Sequence, residues 1–388
     1  QIQFNWTVPL QNMGGKTGIE LAAEAFALHI TQQSTNSTME TTGVKYDNTL
    51  FGLVESEVGE DVLHNDFLEN VLEPVTCAQV EALPETEAVE SPVISYADVL
   101  PALNAAGYID EGEFVYENED LGIWIYISQT LKVIIQRYVD LEEPLRWFEA
   151  EIWSDAASGE IFNSIQYDYD NIGEVAVAPT EIAQKYGTVF AVNTDYYTYR
   201  LASKTLRRKG IVIRDGEILV NDPYTYDTTV FPNLDMLALF NDGSLQVYTS
   251  YDLTAEEYLQ LGATDVYAFG PYLVRDGELN PASETWETYT NPRCAIGMIE
   301  PGHYAAVMAE GRLSTSEGIT MTHLAALMYN LGCTEALNMD GGQTSVMLFM
   351  GKQLNLVGEY DGNTSARKTT ELLGIGYSEQ ALAATDGE

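Results

Sequence analysis

The sequence predicts an α+β protein, with a largely antiparallel or mixed sheet and flanking helices over residues 145–388. A smaller, acidic α+β domain is expected over residues 1–144. Two observations lead there. Hairpins recur along the chain, three of them with Asp-Gly at the turn: Asp215-Gly216, Asp242-Gly243 and Asp276-Gly277. Only a few segments with helical spacing are interspersed among them. At 388 residues the chain can bury a large core and hold two domains.

Residues 18–30, from Gly18-Ile19-Glu20 to Ile30, combine helical apolar spacing with good helix formers. A polar stretch, 31–42, reads as a loop, and Gly43 to Glu57 reads as a strand or hairpin. The acidic, proline-containing run 81–92 is a connector and a candidate sub-boundary. Ser95 and Asp98 form a capping-box signal before a helix expected to end near Gly107. Residues 121–139, with Ile123-Trp124-Ile125-Tyr126 and Val133-Ile134-Ile135, predict a two-strand hairpin.

From Arg146 the pattern changes. Trp147 to Trp153 is a strand, and Asp155 to Gly159 a turn. A helix near 180–186 leads into Thr188 to Asn193, an apolar strand that ends on polar groups. Residues 254–261 read as a helix and 265–269 as a strand. Ile319 to Leu331 is an amphipathic helix stopped by Gly332, and Leu372 to Tyr377 is the last strand.

Acidic residues number 59 against 18 basic, a formal charge of −41. Such a field repels nucleic acid and anionic membrane surfaces, so neither is expected as a partner. Residues 1–144 carry 25 acidic and 4 basic side chains, leaving 34 and 14 for the rest, so the C-terminal part is the better place for an anionic substrate. No run of 18 apolar residues spans a membrane, and membrane insertion is not expected. The chain starts at Gln1, and sequons at Asn5, Asn36 and Asn363 are compatible with export; a secreted or cell-surface location is the expectation. Cys77, Cys294 and Cys333 are too few for a disulfide framework, and a Cys294–Cys333 bridge and buried thiols both remain open. The four histidines lack zinc-ligand spacing, and His303 and His323 are assigned to folding. Gly14-Gly15-Lys16-Thr17 is not a phosphate loop, because the first glycine's place is held by Leu10.

The most informative stretch is Ala336-Leu337-Asn338-Met339-Asp340-Gly341-Gly342-Gln343-Thr344-Ser345-Val346-Met347. An apolar strand runs into an acid, two glycines and two hydroxyls. Asn338 and Asp340 flank Met339 and so face one side of an extended backbone. The Gly-Gly pair allows a turn and close approach by a ligand, and the exposed N–H groups of such a turn suit an anion. A plain hairpin turn is the structural alternative.

Together with Asn291-Pro292-Arg293-Cys294-Ala295-Ile296-Gly297, then Gly311-Arg312, then Ser316-Glu317-Gly318-Ile319-Thr320 and the helix that follows, this stretch resembles the phosphodiester glycosidase family. The motifs lie in order, and the likeness covers roughly residues 145–380. The family includes an enzyme that removes N-acetylglucosamine from a sugar phosphodiester. The resemblance implies a hydrolase that cleaves a glycosyl-1-phosphodiester, N-acetylglucosaminyl among the candidates, to free sugar and a phosphomonoester. Its partner would be a sugar phosphodiester or a phosphate-containing glycan. The resemblance does not extend to residues 1–144; self-assembly, positioning and glycan binding are the roles considered for them.

That reaction needs an anchor for the diester charge, a working carboxyl group and recognition of the sugar hydroxyls. The resemblance places Asp340 and Glu317 in the cleft as catalytic carboxyls, and Arg293 and Arg367 as phosphate ligands, with Arg312 a weaker candidate. Asn193, Asp195, Asn338, Gly341, Gly342, Thr344 and Ser345 complete the expected substrate-binding set. Where the family shows Asn followed by Gly-Gly and aromatics, this chain has Asn193-Thr194-Asp195-Tyr196-Tyr197, and Asp195 reads as a sugar contact, a cation ligand or a third acid. No cofactor or metal is predicted, and a divalent cation is left open. Two other functions fit the sequence: a non-catalytic carbohydrate-binding or cell-surface assembly protein, and an enzyme of exopolysaccharide processing.

Overall fold

The computed structural model describes residues 95–140, 144–195, 210–222, 234–249, 252–281 and 289–382. The chain divides between Ser91 and Pro92 into two compact units, and every described residue lies in the second. The helix expected at 18–30 and the strand or hairpin at 43–57 lie outside the described residues.

Three antiparallel sheets build the unit. In the first, β1 (Phe114–Asn118), β2 (Ile123–Ile127), β3 (Leu131–Asp140) and β4 (Leu145–Ser154) run as a meander. It continues through β15 (His303–Ala309), β14 (Arg293–Glu300), β16 (Glu335–Met339), β12 (Tyr272–Arg275) and β13 (Glu278–Leu279). The second sheet has the order β10 (Leu245–Tyr248), β9 (Asp235–Phe240), β11 (Ala263–Phe269), β7 (Gly210–Arg214), β8 (Glu217–Asp222). The third has the order β18 (Lys352–Gln353), β17 (Met347–Phe349), β6 (Thr188–Val192), β19 (Glu371–Tyr377), β5 (Asn163–Gln166). All three Asp-Gly pairs sit at hairpin turns: β7–β8, β9–β10 and β12–β13. Asp215 and Asp276 have φ of 49° and 53°, the left-handed geometry those turns require.

One core joins the sheets. Trp124, Phe148, Phe190, Leu237, Tyr267, Tyr304, Met339 and Phe349 meet in it. Three helices cover the outer faces among the described residues. α1 (Pro179–Lys185) lays Ile182 and Ala183 on the third sheet, and α2 (Ala255–Leu261) lays Ala255 and Tyr258 on the second. α3 (Met321–Asn330) lays Met321, Leu324, Ala325 and Met328 on Ala295, Ala305, Val307 and Ala336, small residues that let the helix approach closely. Cys294 and Cys333 are buried free thiols, which answers the open question of a bridge between them. Among the described residues no helix is long and apolar enough to cross a membrane.

Two expectations are corrected. β3 and β4 pair from Leu131 with Ser154 to Asp140 with Leu145, so the boundary expected at 144/145 falls inside one hairpin. A charge count summed over a segment says nothing of backbone pairing. The capping box at Ser95 and Asp98 forms, with Ser95 N donating to Asp98 Oδ2 at 2.9 Å, but it opens only a three-residue 3-10 turn, Tyr96–Asp98. Pro101 disfavours helical geometry at Leu100 and ends the turn early.

Candidate active site

The motifs of the sequence are adjacent because three loops pack against the backbone of Asn291 and Pro292. Asn291 bridges Ile319 in both directions, N to O at 3.2 Å and O from N at 3.0 Å. Gly318 has φ of 103°, and a Cβ there would lie 2.4 Å from the Asn291 carbonyl. A Cβ on Gly311 would lie 2.6 Å from Pro292 N, and one on Gly341 2.8 Å from Pro292 O. Gly342 N donates to that same carbonyl oxygen at 2.9 Å. Each glycine is therefore needed for backbone to touch backbone. The result presents Arg293, Arg312 and Asp340 around one opening.

That opening is a cavity of about 500 Å³, lined in part by Arg293, Arg312, Arg367, Asn338, Asp340 and Gln343. Asp340 follows β16 and is the one carboxylate among its described lining residues. Its side chain is 10% exposed, and Arg367 Nη1 lies 3.4 Å from Oδ2. Burial pushes the Asp340 carboxyl up to about 6; the Asp195 charge adds to this, while Thr344 and Arg367 pull the other way. Arg293 is buried, donating from Nε to Ile319 O at 2.9 Å and from Nη2 to Tyr289 O at 3.3 Å. Arg312 holds a left-handed backbone, φ 59°, donates from Nη2 to Asn291 Oδ1 at 3.1 Å, and stacks on Tyr360 at 4.8 Å. Asn338 donates through Nδ2 to Gly270 O at 2.8 Å, while its buried Oδ1 has no hydrogen-bond partner. A buried unpartnered acceptor lining a cavity is a ready contact for a ligand N–H or O–H.

The structure brings together Asp340, Arg293, Arg367, Asn338, Gly341 and Gly342 of the expected set. Glu317 is corrected. Its side chain is exposed and outside the lining, and its segment is held by Glu317 N donating to Pro144 O at 2.7 Å. Asn193, Asp195, Thr344 and Ser345 are buried but do not line the cavity. Asn193 acts as a clamp, donating to Asp340 O at 2.8 Å and accepting from Val346 N at 3.0 Å. Asp195 accepts from Arg214 Nη2 at 3.2 Å and from Ala268 N at 2.9 Å. Tyr196 and Tyr197 lie outside the described residues.

Sequence reasoning missed two groups. Phe269, Tyr289 and Tyr360 line the cavity, and nothing in their local sequence marks them. Behind the floor, Arg214 is fully buried between Glu371 and Asp195. Its Nε and Nη2 each reach Glu371 at 2.7 Å, and it stacks on Tyr267 at 4.0 Å. Burial pushes the Glu371 carboxyl up, but the guanidinium and further donors outweigh it and hold it below the usual carboxylate range. The triad ties β7, β19 and the end of β6 together beneath Asp340. Among the described residues no group of three or more His, Cys, Asp and Glu could hold a metal ion.

Over 153 residues the chain is 31% identical to the SPbeta prophage-derived uncharacterized protein YomE of Bacillus subtilis (strain 168), a match covering 39% of this chain and 23% of that one. The chain thus spans less than a quarter of that relative's length. Among solved structures it resembles the catalytic domain of zebrafish N-acetylglucosamine-1-phosphodiester alpha-N-acetylglucosaminidase auto-inhibited by its pro-peptide. The TM-score is 0.49 at 15% identity, covering 65% of this chain and 85% of that one. A hypothetical protein from Synechocystis matches with a TM-score of 0.41 at 12% identity, over 64% and 62% of the two chains. The family model of the phosphodiester glycosidases matches residues 186–375, which include Asp340, the three arginines and the loops that carry them. Residues 186–375 are thus similar to the phosphodiester glycosidase domain.

Proposed function

We propose that this protein hydrolyses a glycosyl-1-phosphodiester, with N-acetylglucosaminyl the first sugar to test. The observation that carries the reading is a lone carboxylate in the described lining, pushed up to about 6, facing a cavity with three arginines in a protein of charge −41. Arg293, Arg312 and Arg367 bind the diester anion and then the leaving phosphomonoester. Asp340, ionised, takes a proton from water as the water oxygen bonds to the anomeric carbon and the bond from that carbon to the phosphate oxygen breaks. A phosphomonoester is a good leaving group, so a strong general acid is not required. Asn338 Oδ1 accepts from the sugar. Thr194 and Asp195, the departures that favoured the non-catalytic alternative, are buried and outside the described cavity lining.

The direct test is incubation with benzyl N-acetylglucosaminyl phosphate, following sugar and benzyl phosphate by NMR. Equimolar release supports the reading. An intact substrate, for this and for a panel of other glycosyl and polymeric phosphodiesters, would overturn it. Two results are expected in the same assay. Because the base must be ionised, kcat/KM should fall about tenfold per pH unit below pH ~6 and level off above it. Arg367→Ala should raise KM about 10–100-fold through loss of a charge-assisted contact. It should also move the acidic limb to higher pH, since Arg367 lowers the Asp340 pKa.

A further inference from the structure

A second cavity, of about 420 Å³, opens at the other end of the third sheet. Thr188 at the start of β6 lines it, whereas Asn193, just beyond the end of that strand, clamps Asp340. Thr188 and Asn193 are therefore about 17 Å apart along the chain, one at each end of the strand. The chemistry of the two openings is opposite. The described lining of the second has Glu113 and Glu160 and no lysine or arginine.

Four tyrosines line it: Tyr126, Tyr169, Tyr186 and Tyr377. Tyr169 and Tyr377 are 48% and 59% exposed, large ring faces left in water beside a polar hollow. Tyr169 meets Tyr186 edge to face at 5.6 Å and 87°, which steadies its ring. The polar groups are likewise held in place. Glu113 accepts from Tyr126 Oη at 3.1 Å and Ser378 Oγ at 2.7 Å, and Glu160 Oε2 accepts from Thr130 Oγ1 at 3.0 Å. Thr188 is 2% exposed, and its Oγ1 is buried with no hydrogen-bond partner, a vacancy that a bound hydroxyl or water would fill.

We propose that this cavity is a binding site for a neutral saccharide, distinct from the arginine-lined one. Exposed rigid aromatic faces stack on the C–H face of a pyranose, and anchored carboxylates and hydroxyls accept from its O–H groups. Two carboxylates without a cation repel a phosphate, so the site takes the uncharged part of a glycan. The inference does not need the proposed hydrolysis, and it is tested separately.

The experiment is calorimetric titration of the full chain with triacetylchitotriose, maltotriose and cellotriose. At least one should bind with a Kd of about 1 mM or tighter. Tyr169→Ala and Tyr377→Ala, at exposed positions that keep the parent melting temperature, should each weaken it about tenfold. Arg367→Ala should leave it unchanged. Four results would overturn the proposal: no saturable binding of any of the three up to 10 mM (roughly ten times the expected Kd), binding indifferent to both tyrosines, binding lost in Arg367→Ala, or binding of tetramethylammonium in place of all three sugars.

Discussion

Asp340→Ala is expected to lower kcat on a glycosyl phosphodiester by about 10²–10⁴-fold while leaving KM the same or lower. The direction of the KM effect is the informative part. The carboxylate and the diester are both anions around the same arginines, so removing the first frees Arg367 for the second. No other carboxylate among the described lining residues can take over the proton. Alanine is the better choice over asparagine, because Gly341 follows and an Asn-Gly pair deamidates back to the acid. Steady-state kinetics of the purified variant decide the matter. Turnover within about tenfold of the parent would remove Asp340 from the chemistry.

Arg214→Met is expected to destabilise the protein by about 3–5 kcal/mol at pH 7, enough to prevent folding at elevated temperature. The guanidinium is fully buried against two carboxylates, and methionine fills much of the space without the charge. Glu371 and Asp195 would then be buried charges with no counter-ion. The pH dependence gives a second signature. Glu371 in the parent is held below its ordinary value, so its contribution is present above pH ~4.5 and is lost as pH falls through the folded pKa. In the variant the same carboxyls should protonate readily, so the gap to the parent narrows toward pH 4.5 (roughly the ordinary value of a glutamate side chain). Thermal melts at the two pH values measure this. A shift under about 2 °C at pH 7 would show that the triad is not structural glue.

The site was legible where its parts are local in sequence. Asn291-Pro292-Arg293 sets a proline beside a cation, and Asp340-Gly341-Gly342 sets a carboxyl beside two glycines, each within three consecutive residues. The three Asp-Gly hairpins were legible for the same reason. Asn193 and Asp195 were misread because a polar cluster at a strand end looks alike whether it faces water or a buried arginine. Arg214 stands in a hairpin strand, 157 residues before Glu371, and nothing near it announces the pair. Glu317 was misread because its neighbours, Ser316 and Gly318, are the ones the fold uses. Ser316 Oγ donates to Glu310 O at 2.8 Å, and Gly318 admits Asn291. Tyr360 reaches the cavity through a turn that brings it under Arg312, a tertiary fact without a local signal.

The hairpin of β3 and β4 carries a practical warning. A fragment starting at residue 145 would keep every described lining group of the arginine cavity and the whole of the family match. It would also strip ten residues of β4 of their partners in β3, leaving only β15 on the other side, and bare a row of open N–H and C=O groups beside Phe148 and Ile152. Such a raw border recruits other strands, so the shortened protein should precipitate or form fibrils on its own, with its chemistry intact but out of reach.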